Sequence, residues 1–447
     1  MQSGLQVDVT NRQILKIMLP ISLALLVPNL NFIINNIFLG HLSEQALATA
    51  SITGVYYLIF SAAGFGLNNG LQLLIARRAG ENRPEEIGKI FNHGVLLALL
   101  LAAFSIGITY TVASTILRHA VHNERTYHEA VLFLHIRIWG LPFLYIYQMR
   151  NALLIGTNQS RHLVVGTIAE AVANVFFDYV LIFGKLGFPA LGFNGAAYAS
   201  VIAEGTGMAV IFLVIRIKGI GRSYGLFKKL VWESETIQLI LRISGPLVFQ
   251  ITISIISWWF FYLLVEHKGR TSLAVSNTMR NVFGFFGTFI WAFAATTSTM
   301  ISNLIGQGKQ DQVLPVIRKI MRMSAGIMLL VCLLLNLFPR TLLSIYGQSE
   351  TFIIEAIPVL RLVAVAMVLM SVTVVWLNAV TGTGSSYMTF RIELAATIVY
   401  AIYVYVVLEI LDLSILWGWV SELLYWTVLL VLSFLFIRSR RWLKTTI

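Results

Sequence analysis

The chain has 447 residues, of which 57% are hydrophobic and 12% charged, with a mean hydropathy of +0.80. So few charges cannot cover a soluble protein of this size, which excludes a soluble globular class and points to an integral membrane protein. The net charge of +12 falls mostly in alternate loops, so it is a topology signal rather than the footprint of a nucleic-acid partner. The single cysteine, Cys332, excludes an intrachain disulfide and is expected in the core.

Apolar runs of membrane-spanning length recur twelve times. They lie near residues 13–39, 46–76, 87–116, 127–155, 160–183, 194–217, 236–265, 272–305, 313–338, 352–381, 387–409 and 413–437. The first run lacks a small-residue cleavage site and continues into a full span, so no cleaved signal peptide is expected. Helix 1 contains Pro20 and Pro28, each of which removes a backbone hydrogen bond and permits a kink. It also carries the amides Asn31, Asn35 and Asn36, and helix 2 adds Asn68 and Asn69. Amide carbonyls of this kind coordinate Na⁺ or bond a protonated acid, or simply join helices.

Arg77, Arg78, Arg83 and Lys89 follow helix 2, Arg216 to Lys229 fill a long central loop, and Arg438 to Lys444 fill the tail. This bias places both termini and the even-numbered loops on the cytoplasmic side of a plasma (inner) membrane, with the protein multi-pass. His119, His122 and His128 fall in the opposite, outer loop and read as solvated rather than metal-ligating.

Helix 5 holds the densest polar signal: Glu170, Asn174 and Asp178, spaced by four, share one face of an otherwise apolar segment. A carboxylate at the centre of a membrane helix costs at least about 2.5 kcal/mol, so it faces protein or water and marks an ion or substrate path. Two carboxyl groups one or two turns apart in a poorly hydrated site also resist ionising together, so the pair is expected to hold a proton. At 1.5 Å per residue, Asn35 and Asp178 sit roughly 34 Å and 25 Å along their helices from the cytoplasmic side, so a tilted helix 1 brings them to one depth.

The central basic segment, 219–235, separates two similar halves, 1–218 and 236–447. A shift of 226 pairs Pro20 with Pro246, Lys16 with Arg242, His41 with His267 and Gly156-Thr157 with Gly382-Thr383. The chain is therefore a duplicated six-helix unit, expected to be all-α with the repeats (6+6) around a central cleft. Arg137 on helix 4 and Arg361 on helix 10 match across the repeat with slight slippage, which points to a symmetric structural role. Arg280 on helix 8 has no charged counterpart; Glu204, Glu393 and Glu422 are its candidate partners within spans. Trp258 and Trp259, with nearby phenylalanines of helix 8, suit a cavity for flat organic cations. No nucleotide-binding or hydrolase motif occurs, and no cofactor or enzyme activity is expected.

These residues give the chain its family resemblance. Asn174-x-x-x-Asp178-Tyr-Val-Leu-Ile-Phe-Gly, Gly187-Phe-Pro-Ala-Leu-Gly192, Gly195-Ala-Ala, Gly40-His41-Leu42, the Arg77–Gly80 turn, Arg137 in IRIWGLPF and NAVTGTGSS from Asn378 together resemble the multidrug and toxic compound extrusion (MATE) family. The resemblance implies a monomeric antiporter that exports amphipathic, cationic small molecules across the bilayer in exchange for inward H⁺ or Na⁺. It places the coupling cation in the N-terminal lobe, at an acid of helix 1 and the Asn and Asp of helix 5. The helix 5 pair falls on Asn174 and Asp178, whereas the helix 1 position falls on Asn35, a neutral ligand. Asp178, Asn174 and Asn35, with Glu170 as helper, form the expected cation-coupling set, and Asp178, Asn174 and Asn35 the expected position of Na⁺ where that is the coupling ion. Losing the helix 1 carboxylate favours H⁺. On helix 7, where other branches hold an acid, the chain has Gln250 and Ser254, so a C-lobe cation site is not expected. Asn31, Asn36, Asn68, Asn69, Trp258 and Arg280 are the expected substrate-cleft residues. A flippase for lipid-linked or anionic substrates shares the repeat plan but calls for a more basic cleft, and a non-transporting scaffold has no need of Asn174 and Asp178 in the bilayer.

Overall fold

The computed structural model describes residues 4–120, 123–227, 232–346, 349–445 and 447. His122, Lys228 and Lys229 lie outside the described residues, as do the side chains of Leu47, Ala48 and His119. Among the described residues there is no strand, and twelve helices are long and apolar enough to cross a membrane. They are α1 Asn11–Leu42, α2 Glu44–Gly80, α3 Pro84–Ala120, α4 Glu124–Gly156, α5 Ser160–Phe183, α6 Phe193–Ile217, α7 Ser234–Glu266, α8 Arg270–Gly306, α9 Gln310–Leu337, α10 Glu350–Gly382, α11 Ser386–Ile410 and α12 Ile415–Arg438.

Local chemistry explains where the helices begin and bend. The Ser43 and Ser349 hydroxyls accept from Ala46 N and Phe352 N to cap α2 and α10, and Asn123 caps α4 through Thr126 N. α3 opens on Pro84 with Glu85 and Glu86 in its first turn, which suits the positive end of the helix dipole. α4 is not one regular helix as its apolar run suggests. A 3₁₀ turn at Ile138–Gly140 interrupts it just before Pro142, whose ring bars a regular hydrogen bond there. α5 ends at Gly184 with φ +66°, and Leu191 N then bonds Leu181 O as the chain turns back to run α6 along α5.

The chain divides into two compact units: Met1–Gln6 with Leu19–Val248, and Val7–Met18 with Phe249–Ile447. The partition falls inside α1 and α7 rather than in the linker 219–235: Val7–Met18 belongs to the second unit, and α7 as far as Val248 to the first. Val7 N donates to Asn303 and Lys319 to Val9 O in the second unit, while Ser244 lies on Leu67 in the first. Both crossings come within three residues of a proline, Pro20 in α1 and Pro246 in α7.

Within the first unit α2 packs on α3 and α4, α3 on α4, α4 on α6, and α5 on α6. The second unit repeats the pattern: α8 packs on α9 and α10, α9 on α10, α10 on α12, and α11 on α12. The duplication read from sequence is thus a duplication of packing. Cys332 departs from expectation, being half-buried rather than in the core.

Candidate functional site

The helix 5 residues do lie in the interior of the first unit. Asp178 is fully buried and Asn174 nearly so, because α5 turns this face toward its neighbours and its apolar residues Val172, Phe176 and Tyr179 outward. Asn31 of α1 donates to Asn174 Oδ1 at 2.7 Å. The structure therefore joins α1 and α5 through two of the expected amides. Both carboxylate oxygens of Asp178 are buried and accept no hydrogen bond from the described residues, as is true of Asn31 Oδ1 and Asn35 Oδ1. Buried oxygens without donors are costly unless they take a proton or a hard cation.

Glu170, two turns from Asp178, packs against Gly207 of α6: a Cβ there would lie 2.9 Å from Glu170 Cβ. Asn36 is half-buried beside Asn35. On α2, Asn68 is buried and its amide donates to Asn69 Oδ1 at 3.2 Å. α4 adds two amides absent from the predicted set, Gln148 and Asn151, whose carbonyl oxygens are likewise buried without donors.

Beside α5 lies a network whose pairing the sequence did not disclose. Arg137 of α4 makes a bidentate ion pair with Glu204 of α6, at 2.5 Å and 2.9 Å. The Tyr57 hydroxyl of α2 accepts from Arg137 at 2.9 Å and donates to Glu204 at 3.1 Å. The guanidinium lies 3.7 Å from the Tyr57 ring centroid. Gly140, in the 3₁₀ turn, is required by this arrangement, since a Cβ there would sit 2.1 Å from Glu204 Oε2 and 2.4 Å from Arg137 Nη1. A further arginine of α4, Arg150, is buried, donates to Met208 O, and stands 4.8 Å from the Phe212 ring centroid.

These contacts correct two expectations. Glu204 pairs with Arg137, not Arg280. Arg137 and Arg361 are not structural equivalents either, since Arg361 is exposed.

In the second unit, Arg280 is exposed and stands 5.3 Å from the Tyr262 ring centroid. Trp258 packs edge-on against Trp419 and Phe283, within an aromatic cluster closed by Phe261. Glu422 accepts from Trp426 at 2.9 Å. Glu393 of α11 is buried and holds three donors: Ser254 at 2.6 Å and Gln250 at 3.3 Å, both from α7, and Tyr425 of α12. Gln250 and Ser254, read from sequence as marking the lack of a C-lobe acid, are thus ligands of an acid supplied by α11. Among the described residues no three metal-ligating side chains cluster.

At the polar edges two acids, the half-buried Glu233 and the exposed Asp412, have defined partners. Lys89 lies 2.9 Å from Glu233, and this hydrogen bond holds the Glu233 carboxyl below the usual range. Lys268 does the same for Asp412.

Comparison with known proteins agrees with this architecture. The family model MatE matches residues 20–180 and 246–406, an offset of 226 at both ends. A Thermotoga maritima protein named "Probable multidrug resistance protein NorM" is 23% identical over 92% of this chain and 88% of its own length. A protein of the same name from Listeria innocua is 26% identical, over 60% of this chain and 58% of its own length. Among solved structures, an outward-facing multidrug resistance MATE family transporter of the MOP superfamily superposes with a TM-score of 0.89 at 19% identity, over 99% of this chain and 98% of its own. A MOP superfamily transporter from Pyrococcus furiosus, described as having a binding pocket of reverse polarity, gives 0.88 at 19% identity, over 99% and 98%.

Proposed function

The chain belongs to the MatE family, a family of transporters rather than enzymes, and from that premise we propose that it is a secondary antiporter exporting amphipathic, cationic organic compounds in exchange for protons by alternating access. The observation that carries this is Asp178: a buried carboxyl group whose two oxygens accept no hydrogen bond from the described residues, flanked by the Asn31–Asn174 amide pair. Such an acid takes and releases a proton without breaking a protein hydrogen bond.

The ligand set also bears on the choice of ion. Asp178 Oδ1 and Oδ2 with the Asn31 and Asn35 carbonyls offer hard oxygens suited to Na⁺, while Asn174 Oδ1 is already engaged by Asn31. Asn35 stands in place of a second acid, which leaves Asp178 as the one carboxylate of this ligand set. One titrating acid suffices for H⁺, whereas each missing carboxylate weakens Na⁺ binding. The Na⁺-coupled form is the alternative.

The termini and central basic loop belong on the cytoplasmic side of the plasma membrane, from the lysine and arginine bias. The lobes 1–218 and 236–447 move as the alternating elements, with Pro20 and Pro28 as points where α1 yields. Asn68, Asn69, Asn36, Trp258 and Arg280 serve the substrate, and Glu170 assists Asp178. The test is transport of a fluorescent organic cation in proteoliposomes under imposed pH or Na⁺ gradients. Flux driven by the pH gradient and indifferent to Na⁺ supports the reading; flux that needs Na⁺ at constant pH overturns the choice of ion, and no flux under either overturns antiport.

A further inference from the structure

The end of the first unit that carries the central basic loop is short of acids. No Asp or Glu occurs in 138–169 or in 205–232, whereas these stretches hold Arg150, Arg161, Arg216, Lys218 and Arg222. Among the described residues, none of these five takes part in an ion pair. Four of them are exposed, as solvated cations are, but Arg150 of α4 is only 5% exposed. Its Nη1 donates to Met208 O of α6, an uncharged acceptor, and its guanidinium stands 4.8 Å from the Phe212 ring centroid. A buried charge without a counter-ion is costly in a membrane helix.

Packing brings other cations to the same place. A Cβ at Gly166 of α5 would lie 3.1 Å from both Ile211 of α6 and Tyr147 of α4, so three helices meet there. A 2.8 Å hydrogen bond between Tyr147 and Thr167 joins α4 to α5 at this level. α5 and α6 run antiparallel, with Glu170 on Gly207 and Gly166 against Ile211. One turn nearer the central loop, that pairing continues to Arg161 and His162 beside Ile215 and Arg216. Arg150 lies one turn along α4 from Tyr147 in the same direction, and Phe212, which it covers, is one turn from Arg216 on one face of α6. Arg150 sits about 9 Å short of the end of α4 at Gly156, a depth from which a long cationic side chain reaches the headgroup layer. Val165 and Ile168 of α5 and Leu213 and Ile217 of α6 are exposed and apolar along this stretch.

We propose that Arg150, with Arg161 and Arg216, forms a site for the phosphate of an anionic phospholipid in the leaflet on the side of the central loop. A guanidinium fork binds phosphate in bidentate fashion. The bond from Nη1 to Met208 O leaves Nη2 and Nε of Arg150 for that ligand. Arg161 and Arg216 add charge at the level of the headgroup, and the exposed apolar residues of α5 and α6 receive the acyl chains. A basic pocket between helices on this side suits such a headgroup. The site lies wholly within the first unit and does not depend on which acid carries coupling.

The experiment titrates the full chain, purified in a neutral detergent, with dioleoylphosphatidylglycerol, dioleoylphosphatidylcholine or inorganic phosphate. Retained lipid is read by native mass spectrometry, and the unfolding temperature is followed in parallel. Wild type is expected to retain phosphatidylglycerol in preference to phosphatidylcholine and to unfold at a higher temperature with it. Arg150→Gln should weaken that retention about tenfold or more and abolish the thermal shift. Arg150→Lys, which keeps the charge but loses the fork, should fall between the two. Should Arg150→Gln not fold, Arg161→Gln/Arg216→Gln at the exposed positions decides, with an expected loss of about fivefold or more. Arg440→Gln/Arg441→Gln in the basic tail should leave retention unchanged. Equal retention of the two lipids by wild type, or phosphatidylglycerol retention unmoved in a folded Arg150→Gln, overturns the proposal. An equal loss in the tail variant also overturns it, since that would mean diffuse attraction rather than a site. Displacement of phosphatidylglycerol by equimolar inorganic phosphate would assign the site to free phosphate and overturn the lipid.

Discussion

Each unit buries a carboxyl group on its fifth helix, Asp178 on α5 and Glu393 on α11, and surrounds it in an opposite way. Glu393 is saturated: Ser254, Gln250 and Tyr425 all donate to it. Asp178 receives no hydrogen bond on either oxygen from the described residues. The duplication extends to helix packing but not to these sites, since a shift of 226 sets Glu393 against Thr167 and Asp178 against Val404. A carboxyl group held by three donors is a fixed joint between α7, α11 and α12. One with open oxygens is suited to exchange. What the repeat conserves is the scaffold, and each copy carries its own polar chemistry.

The largest expected effect lies at the buried ion pair of the first unit, Arg137–Glu204. Arg137→Ala leaves Glu204 as an unpaired buried charge and is expected to destabilise the protein by about 3–5 kcal/mol, read as a lowered unfolding temperature in detergent. Gly140→Ala forces the same pair apart with a Cβ 2.1 Å from Glu204 Oε2, an overpacking cost of about 1–3 kcal/mol. Unchanged thermal stability in both would mean that the pair bears no structural load. Glu393→Ala strands three donors, the buried Tyr425 and the half-buried Gln250 and Ser254, and is expected to cost about 2–3 kcal/mol. Asp178→Asn removes a buried ionisable group with no partner to strand, and its unfolding temperature should not fall. An equal loss for the two acids would erase the contrast between them.

Twelve spans, the duplication and the Asn174–Asp178 pair were legible in the sequence because each has a local signature: membrane-length apolar runs, a constant offset, and a spacing of four on one helix face. The Arg137–Glu204 pair was not, since its members stand 67 positions apart on different helices and neither carries a pattern that names the other. The partners of Glu393 were hidden for the same reason. Its donors lie 139 and 143 positions away on α7, so Gln250 and Ser254 read in isolation looked like a missing acid. Matching Arg137 with Arg361 failed because equivalence in the repeat fixes backbone position, not whether a carboxylate faces the side chain.

Smaller effects sharpen the same contrast. Asn31→Ala removes the 2.7 Å bond to Asn174 and should cost about 1 kcal/mol, seen as a modest drop in unfolding temperature with reduced gradient-driven flux. Glu233→Gln removes the pair with Lys89. The Glu233 carboxyl is held below its unfolded value, so its contribution is present above the unfolded pKa and fades as pH falls through the folded one. Glu233→Gln should therefore narrow the stability difference between neutral and acidic pH slightly, without changing transport; a stabilised variant at neutral pH would contradict the pairing.

Asp178→Asn and Glu393→Gln, reconstituted side by side and assayed for dye efflux under an imposed pH gradient, test most directly which buried acid carries coupling. Loss of gradient-driven flux in Asp178→Asn, with substantial flux kept in Glu393→Gln, is the expected result. Undiminished flux in Asp178→Asn, or its loss in Glu393→Gln alone, would place coupling at the saturated acid and contradict a coupling role for the open one.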